Sequence, residues 1–240
     1  MENSIELLIR LIFAHILCDF IFQNKRMVDK KQSDNNIQKY SAITIHSLTH
    51  SICSYIILME WQYWSVPLIV FISHFTIDSL KSNCKNKGLL IFSIDQILHL
   101  LTIVVMWAII FNTSSPSSLK LDDVLSSQNI LILTAYLLVL KPASIILSLF
   151  FNRWNIESNM KGLPNAGKWI GYFERILIIT SILTSQAEMI GFLIAAKSIF
   201  RFGELKHANE IKVTEYILIG TFASFTYAIV VGYMAKFLLG

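Results

Sequence analysis

Eight long apolar blocks constrain this chain more than any other feature. They lie at about residues 5–23, 41–60, 65–80, 89–112, 129–151, 168–186, 187–202 and 213–238. A helix that crosses a bilayer needs about 20 predominantly apolar residues, within a range of roughly 17–25. Blocks three, six and seven are short or split by polar residues. The reading is therefore an all-α, polytopic transmembrane helical bundle of about eight spans. A spanning β-barrel would alternate apolar and polar residues in strands of about ten, and these blocks are too long and too uniformly apolar for that. Composition agrees, with 54 % hydrophobic and 15 % charged residues, where a soluble domain carries about 25 % charge.

The link Thr113-Ser-Ser-Pro-Ser-Ser is the strongest loop signal. It lies in a loop at 113–128 that separates a front half (1–112) from a back half (129–240) within one transmembrane domain, 1–240. No internal repeat and no low-complexity tract interrupts that organisation. The N-terminus has no basic region ahead of its apolar stretch and no clear cleavage site, so the first block is expected to remain as a helix.

Lysine and arginine set the orientation. Lys25, Arg26, Lys30, Lys31 and Lys39 follow block one; Lys81, Lys85 and Lys87 follow block three; Arg153, Lys161 and Lys168 follow block five; Lys206 and Lys212 follow block seven. The links after blocks two, four and six hold only Lys120. The positive-inside bias puts the basic loops in the cytoplasm and both termini outside it. The alternation favours eight spans over seven, and it accounts for the net charge of +4 without nucleic acid as a partner. Cys18, Cys53 and Cys84 have no CxxC spacing, so neither a disulfide framework nor a thiolate zinc site is expected.

Against this apolar background the front half carries a repeated polar pattern. The first block has His15 and Asp19, the second His46 and His50, the third His74 and Asp78, the fourth Asp95 and His99. Each pair is spaced i,i+4, so both side chains share one helical face. Five of the six histidines belong to these pairs. Helices that run in alternate directions bring all four pairs to a similar depth, in the cytoplasmic half of the membrane. Ionisable side chains there are costly unless they face a protein interior, a water-filled cavity or a metal.

A divalent cation is the economical explanation. Imidazole and carboxylate suit zinc, and also iron or manganese. Eight candidate ligands exceed one tetrahedral shell, so one or two ions are expected. His15, His46, His50, His74 and Asp78 are placed in or next to the coordination shell. Asp19, Asp95 and His99 remain open as ligands, orienting groups or the general base, with Asp95 or Asp19 as the catalytic carboxylate. Gln23 and Gln96 are read as ordinary packing residues.

The leading expectation is an integral-membrane, metal-dependent hydrolase acting on a membrane lipid or lipid-linked substrate at the cytoplasmic leaflet. A divalent-cation transporter, a b-type haem protein and a non-enzymatic membrane protein with a buried polar network are the alternatives. No nucleotide-binding glycine loop and no nucleophile elbow is present, and the oligomeric state is left open.

The back half has a second polar group. Glu174 and Arg175 lie in the sixth block, and Lys197, Arg201 and Glu204 form a stripe from the seventh. Lys197, Arg201, Glu204 and Arg175 are candidates for a substrate headgroup site; the competing reading is helix-end charge with an internal ion pair. Lys141-Pro142 is read as a helix kink, and His207 as a solvated loop residue.

These residues resemble an uncharacterised bacterial family of multi-pass membrane proteins, domain of unknown function 3307. The resemblance rests on His15-Ile-Leu-Cys-Asp19-Phe-Ile-Phe-Gln23, His46 to His50, His74-Phe-Thr-Ile-Asp78 and Asp95-Gln-Ile-Leu-His99. In the back half it rests on Ala195-Ala-Lys-Ser-Ile-Phe-Arg201-Phe and Glu215-Tyr-Ile-Leu-Ile-Gly-Thr. It implies a bacterial cytoplasmic-membrane protein and no particular reaction. The polar pattern is more distantly similar to that of bacterial membrane-bound metal-dependent hydrolases, which implies hydrolysis by analogy alone.

Overall fold

A computed structural model describes residues 2–84, 88–113, 126–154, 163, 165–202 and 211–240. Every regular element among the described residues is helical. Helix α1 (Glu2–Ile16) widens into a π-helical stretch, Leu17–Phe22, closed by a bond from Gln23 N to Cys18 O of 3.0 Å. There follow α2 (Lys25–Lys31), α3 (Asn36–Leu58), α4 (Ser65–Ser82), α5 (Leu89–Thr113), α6 (Ser127–Val139), α7 (Lys141–Phe151), α8 (Ala166–Leu183), α9 (Glu188–Phe202) and α10 (Ile211–Leu239). The chain divides into two compact units, Met1–Thr134 and Ala135–Gly240.

Local chemistry sets the element ends. Asn24 caps α2 by accepting from Met27 N, and Asn35 caps α3 by accepting from Ile37 N and Gln38 N. Met59, at φ 59°, ends α3 in the left-handed conformation. Leu140 breaks the helix between α6 and α7, immediately before Lys141-Pro142, so the expected kink is present.

Among the described residues, four stretches are long and apolar enough to cross a membrane: Asn36–Leu58, Leu89–Ile110, Ser127–Phe151 and Thr214–Leu239. The remaining helices are shorter or carry more polar residues. In α3 the outward stripe Ile45, Leu48, Ile52 and Ile56 is 45–56 % exposed, while His46 and His50 are at most 2 % exposed. A helix with its apolar face outward and its ionisable face inward is built for lipid, not water. The chain is a membrane protein.

In the first unit, polar and apolar residues occupy opposite ends of the same helices. Leu7 and Leu11 of α1, Val66 and Val70 of α4, and Ile103, Met106 and Ile110 of α5 pack with Leu58 and Tyr63 into one apolar core. These positions precede the site residues on α1 and α4 and follow them on α3 and α5. The four polar pairs therefore meet at the other end. Ser47, Ser51 and Ser54 make the buried face of α3 thin, and Ser51 Oγ donates to Pro67 O of α4 at 2.6 Å. In the second unit, Ile178, Ile179 and Ile182 of α8 pack against Phe225, Ala228 and Ala235 of α10, with Val139 and Ile190.

Candidate metal centre

All eight candidate ligands of the front half converge. His15, His46, His50, His74, Asp78, Asp95 and His99 are 0–6 % exposed, and the Asp19 side chain is 10 % exposed. Asp19 and Asp78, although close to the helix ends, are thus enclosed within the bundle.

The tightest part is a triangle. His46 Nε2 lies 3.0 Å from Asp19 Oδ1, His50 Nε2 lies 3.1 Å from the same oxygen, and the two nitrogens are 3.1 Å apart. Donor atoms about 2.0–2.1 Å from a zinc ion stand roughly 3.3 Å apart in a tetrahedral shell, so the triangle has the dimensions of one face of such a shell. Two further sets can be drawn at a wider spacing. His15, His50 and His74, and separately Asp78, Asp95 and His99, each offer three ligand atoms within 4.8 Å of one another. His50 belongs to two of the three sets.

Several details suit ligation better than a closed hydrogen-bond network. His74 Nδ1 donates to Val70 O at 3.1 Å, which leaves Nε2 as the lone-pair nitrogen, 3.3 Å from His15 Nδ1. Metal-ligating histidines hold their second N–H on a carbonyl or carboxylate in this way. His15 Nε2 and Asp95 Oδ1 are buried and make no hydrogen bond among the described residues. Such orphaned polar atoms are costly in an apolar interior. Two carboxylates also face two ways. Asp19 turns Oδ1 to His46 and His50 and Oδ2 toward His15 at 3.6 Å. Asp78 lies 3.8 Å from His46 through Oδ2 and 4.0 Å from His99 through Oδ1. The donor set therefore fits one or two divalent ions.

Three residues of the site lie outside the i,i+4 pairs. Lys31 of α2, 9 % exposed, places Nζ 2.5 Å from Asp78 Oδ2. Lys81 of α4 places Nζ 2.5 Å from Asp95 Oδ2. Gln96 Nε2 donates to Asp19 Oδ2 at 2.9 Å and to Asp95 Oδ2 at 3.2 Å. The packing role expected for Gln96 is thus corrected: its amide ties two of the carboxylates together. Three carboxylates against two ammonium groups leave one formal negative charge in the cluster, and a single dication would bring it to +1.

The back-half candidates do not assemble in the same way. Lys197 Nζ is held by both carboxylate oxygens of Glu174, at 2.6 and 2.7 Å. Arg175 is buried on the neighbouring face of α8. The side chain of Arg201 and all of Glu204 lie outside the described residues, as do Lys85, Lys87, Lys120, Lys161, Lys206, His207 and most of the 113–128 loop.

Residues 7–127, half of the chain and the whole of the polar constellation, match the family described as Protein of unknown function (DUF3307). The chain belongs to this family. The matched segment of the DUF3307 member ends where α6 begins, so the family signature and the His/Asp cluster coincide. No curated protein and no solved structure matches the chain.

Proposed function

We propose that this protein is an integral-membrane, metal-dependent hydrolase of the bacterial cytoplasmic membrane, acting on a lipid or lipid-linked substrate at the cytoplasmic leaflet. One observation carries the reading: eight enclosed His and Asp residues from the first four apolar blocks form three possible ligand sets, two of which share His50. Zinc is the first expectation for the metal, with iron or manganese as alternatives. The topology that goes with it has about eight spans and both termini outside the cytoplasm, on the strength of the alternating basic loops. Exposed Trp61 and Trp64 follow α3 at the end remote from the cluster, where a membrane interface favours tryptophan.

The His and Asp sets would hold the divalent ion, and when bound it would supply Lewis acidity and a water of lowered pKa. The chain's own residues divide the remaining work. Asp19 Oδ1, clasped by two imidazoles, acts as a ligand. Asp95, whose Oδ1 lies 3.6 Å from His99 Nε2, is proposed as the carboxylate that accepts the proton. Lys31 and Lys81 hold positive charge beside the ligands and suit an anionic substrate group such as a phosphate.

Elemental analysis of the detergent-purified protein tests the proposal. One or two equivalents of a transition metal are expected in the wild type and none in His46→Ala/His50→Ala. A wild type that takes up no metal after reconstitution with zinc, iron and manganese would falsify it. Metal flux into proteoliposomes, without hydrolysis of any phosphate- or amide-linked lipid, would reassign the centre to transport.

A further inference from the structure

Arg175 stands in the middle of α8, 3 % exposed, on a helix whose other buried positions are Ile178, Ile179, Ser181 and Ile182. Its guanidinium is fixed from three elements. Nε donates to Val139 O at the end of α6, Nη1 to Ser224 Oγ of α10 at 3.0 Å, and Nη2 to Ser144 Oγ of α7 at 3.0 Å. Val139 O is a carbonyl at a helix end, and carbonyls there lack an intrahelical partner. Gly171, one turn before Arg175, makes room for the group, because a Cβ there would lie 3.0 Å from Nη1.

Each of those partners is neutral. The adjacent Glu174 is committed to Lys197, and no carboxylate among the described residues pairs with Arg175. A guanidinium has five N–H donors. Three are used here, leaving one on each terminal nitrogen. A buried cation without a counter-charge is costly, and a guanidinium with donors to spare suits the oxygens of a phosphate.

A cavity of about 730 Å³ opens beside this group. Its polar lining includes Ser148, Asn152, Lys168 and Arg175, and its apolar lining includes Leu147 and Phe151. Lys168 Nζ and Arg175 Cζ lie 5.6 and 5.5 Å from the centre of the same Tyr172 ring, and both residues line the cavity. The volume falls in the range of sites for small organic molecules and exceeds what a bare anion needs.

We propose that this cavity of the second unit binds a phosphate-bearing group, with Arg175 and Lys168 as its cationic ligands. The site lies wholly within residues 144–216 and stands independently of the metal centre. Phosphatidic acid in mixed micelles, inorganic phosphate and diacylglycerol are titrated separately into the purified full chain, with bound ligand read by native mass spectrometry. Phosphatidic acid is expected to bind and diacylglycerol, its phosphate-free counterpart, to bind at least about tenfold more weakly. Inorganic phosphate binding as tightly as phosphatidic acid assigns the free anion, and much weaker binding assigns a lipid headgroup.

Lys168→Gln changes an exposed residue and is expected to weaken phosphatidic acid binding about tenfold with thermal unfolding unchanged. Gly171→Ala, which displaces the guanidinium while keeping its charge, is expected to act in the same direction. Equal affinity for phosphatidic acid and diacylglycerol overturns the proposal. So does an affinity that neither substitution moves in a protein that unfolds at the wild-type temperature.

Discussion

At Asp19 a single carboxylate meets three imidazoles and an amide, and only the amide comes from outside the i,i+4 pairs. Gln96 therefore offers a sharper probe than the ligands, because it touches two carboxylates without being a metal donor itself. Gln96→Leu is expected to weaken metal affinity by roughly 10–100-fold, the usual cost of losing a group that orients ligands. Competition with a graded series of chelators measures this, and an unchanged affinity would return Gln96 to a packing role. The eight ligand candidates were legible in the sequence because helical spacing announces them in pairs. Lys31, Lys81 and Gln96 were not, for a physical reason. Lys31 is 47 residues from Asp78, and Gln96 is 77 residues from Asp19. Only the assembled fold makes them neighbours, and a lysine beside a helix end reads as a loop charge until its partner is seen.

Among the elements, the apolar blocks foretold the long helices closely, but two local features escaped pattern reading. The π-helical stretch Leu17–Phe22 carries Asp19, and wide turns of this kind are frequent at functional sites; its sequence is as apolar as the helix before it, so periodicity gives no warning. Helix α2 occupies part of what reads as a basic loop, and its seven residues end at Lys31. Nearness of helices can also be tested. A Cβ at Gly232 of α10 would lie 2.7 Å from Ile182 Cδ1 of α8, and Ile182 is 1 % exposed. Gly232→Ala is expected to destabilise the second unit by about 1–3 kcal/mol through overpacking. Ile182→Val, which removes the offending methyl, is expected to recover much of that loss. Thermal unfolding of both variants in detergent checks the pair, and metal content should stay at the wild-type level in each.

For the whole molecule, the sequence made the membrane class plain, because its apolar residues gather in long blocks and only 15 % of residues are charged. The eight-span topology rests on loop charge and can be examined with a native label. Cys84 is exposed, Cys18 is buried and Cys53 is intermediate, and Cys84 lies in the basic stretch after α4. A membrane-impermeant maleimide is expected to modify Cys84 in inside-out vesicles and to leave it unmodified in intact spheroplasts, with Cys84→Ser as the blank. Labelling in intact spheroplasts would invert the proposed orientation and move the candidate metal centre to the outer leaflet. The order of the ligands along the chain carries one more consequence. His15, Asp19, His46, His50, His74 and Asp78 are all translated before Asp95 and His99. A nascent chain stopped short of α5 holds six of the eight groups and cannot close the Asp78, Asp95, His99 set. Completion of the centre thus doubles as a record that synthesis has passed α5, and a truncated chain keeps buried polar groups with no final partners. Incompletely folded intermediates of that kind are the ones that aggregate or engage chaperones.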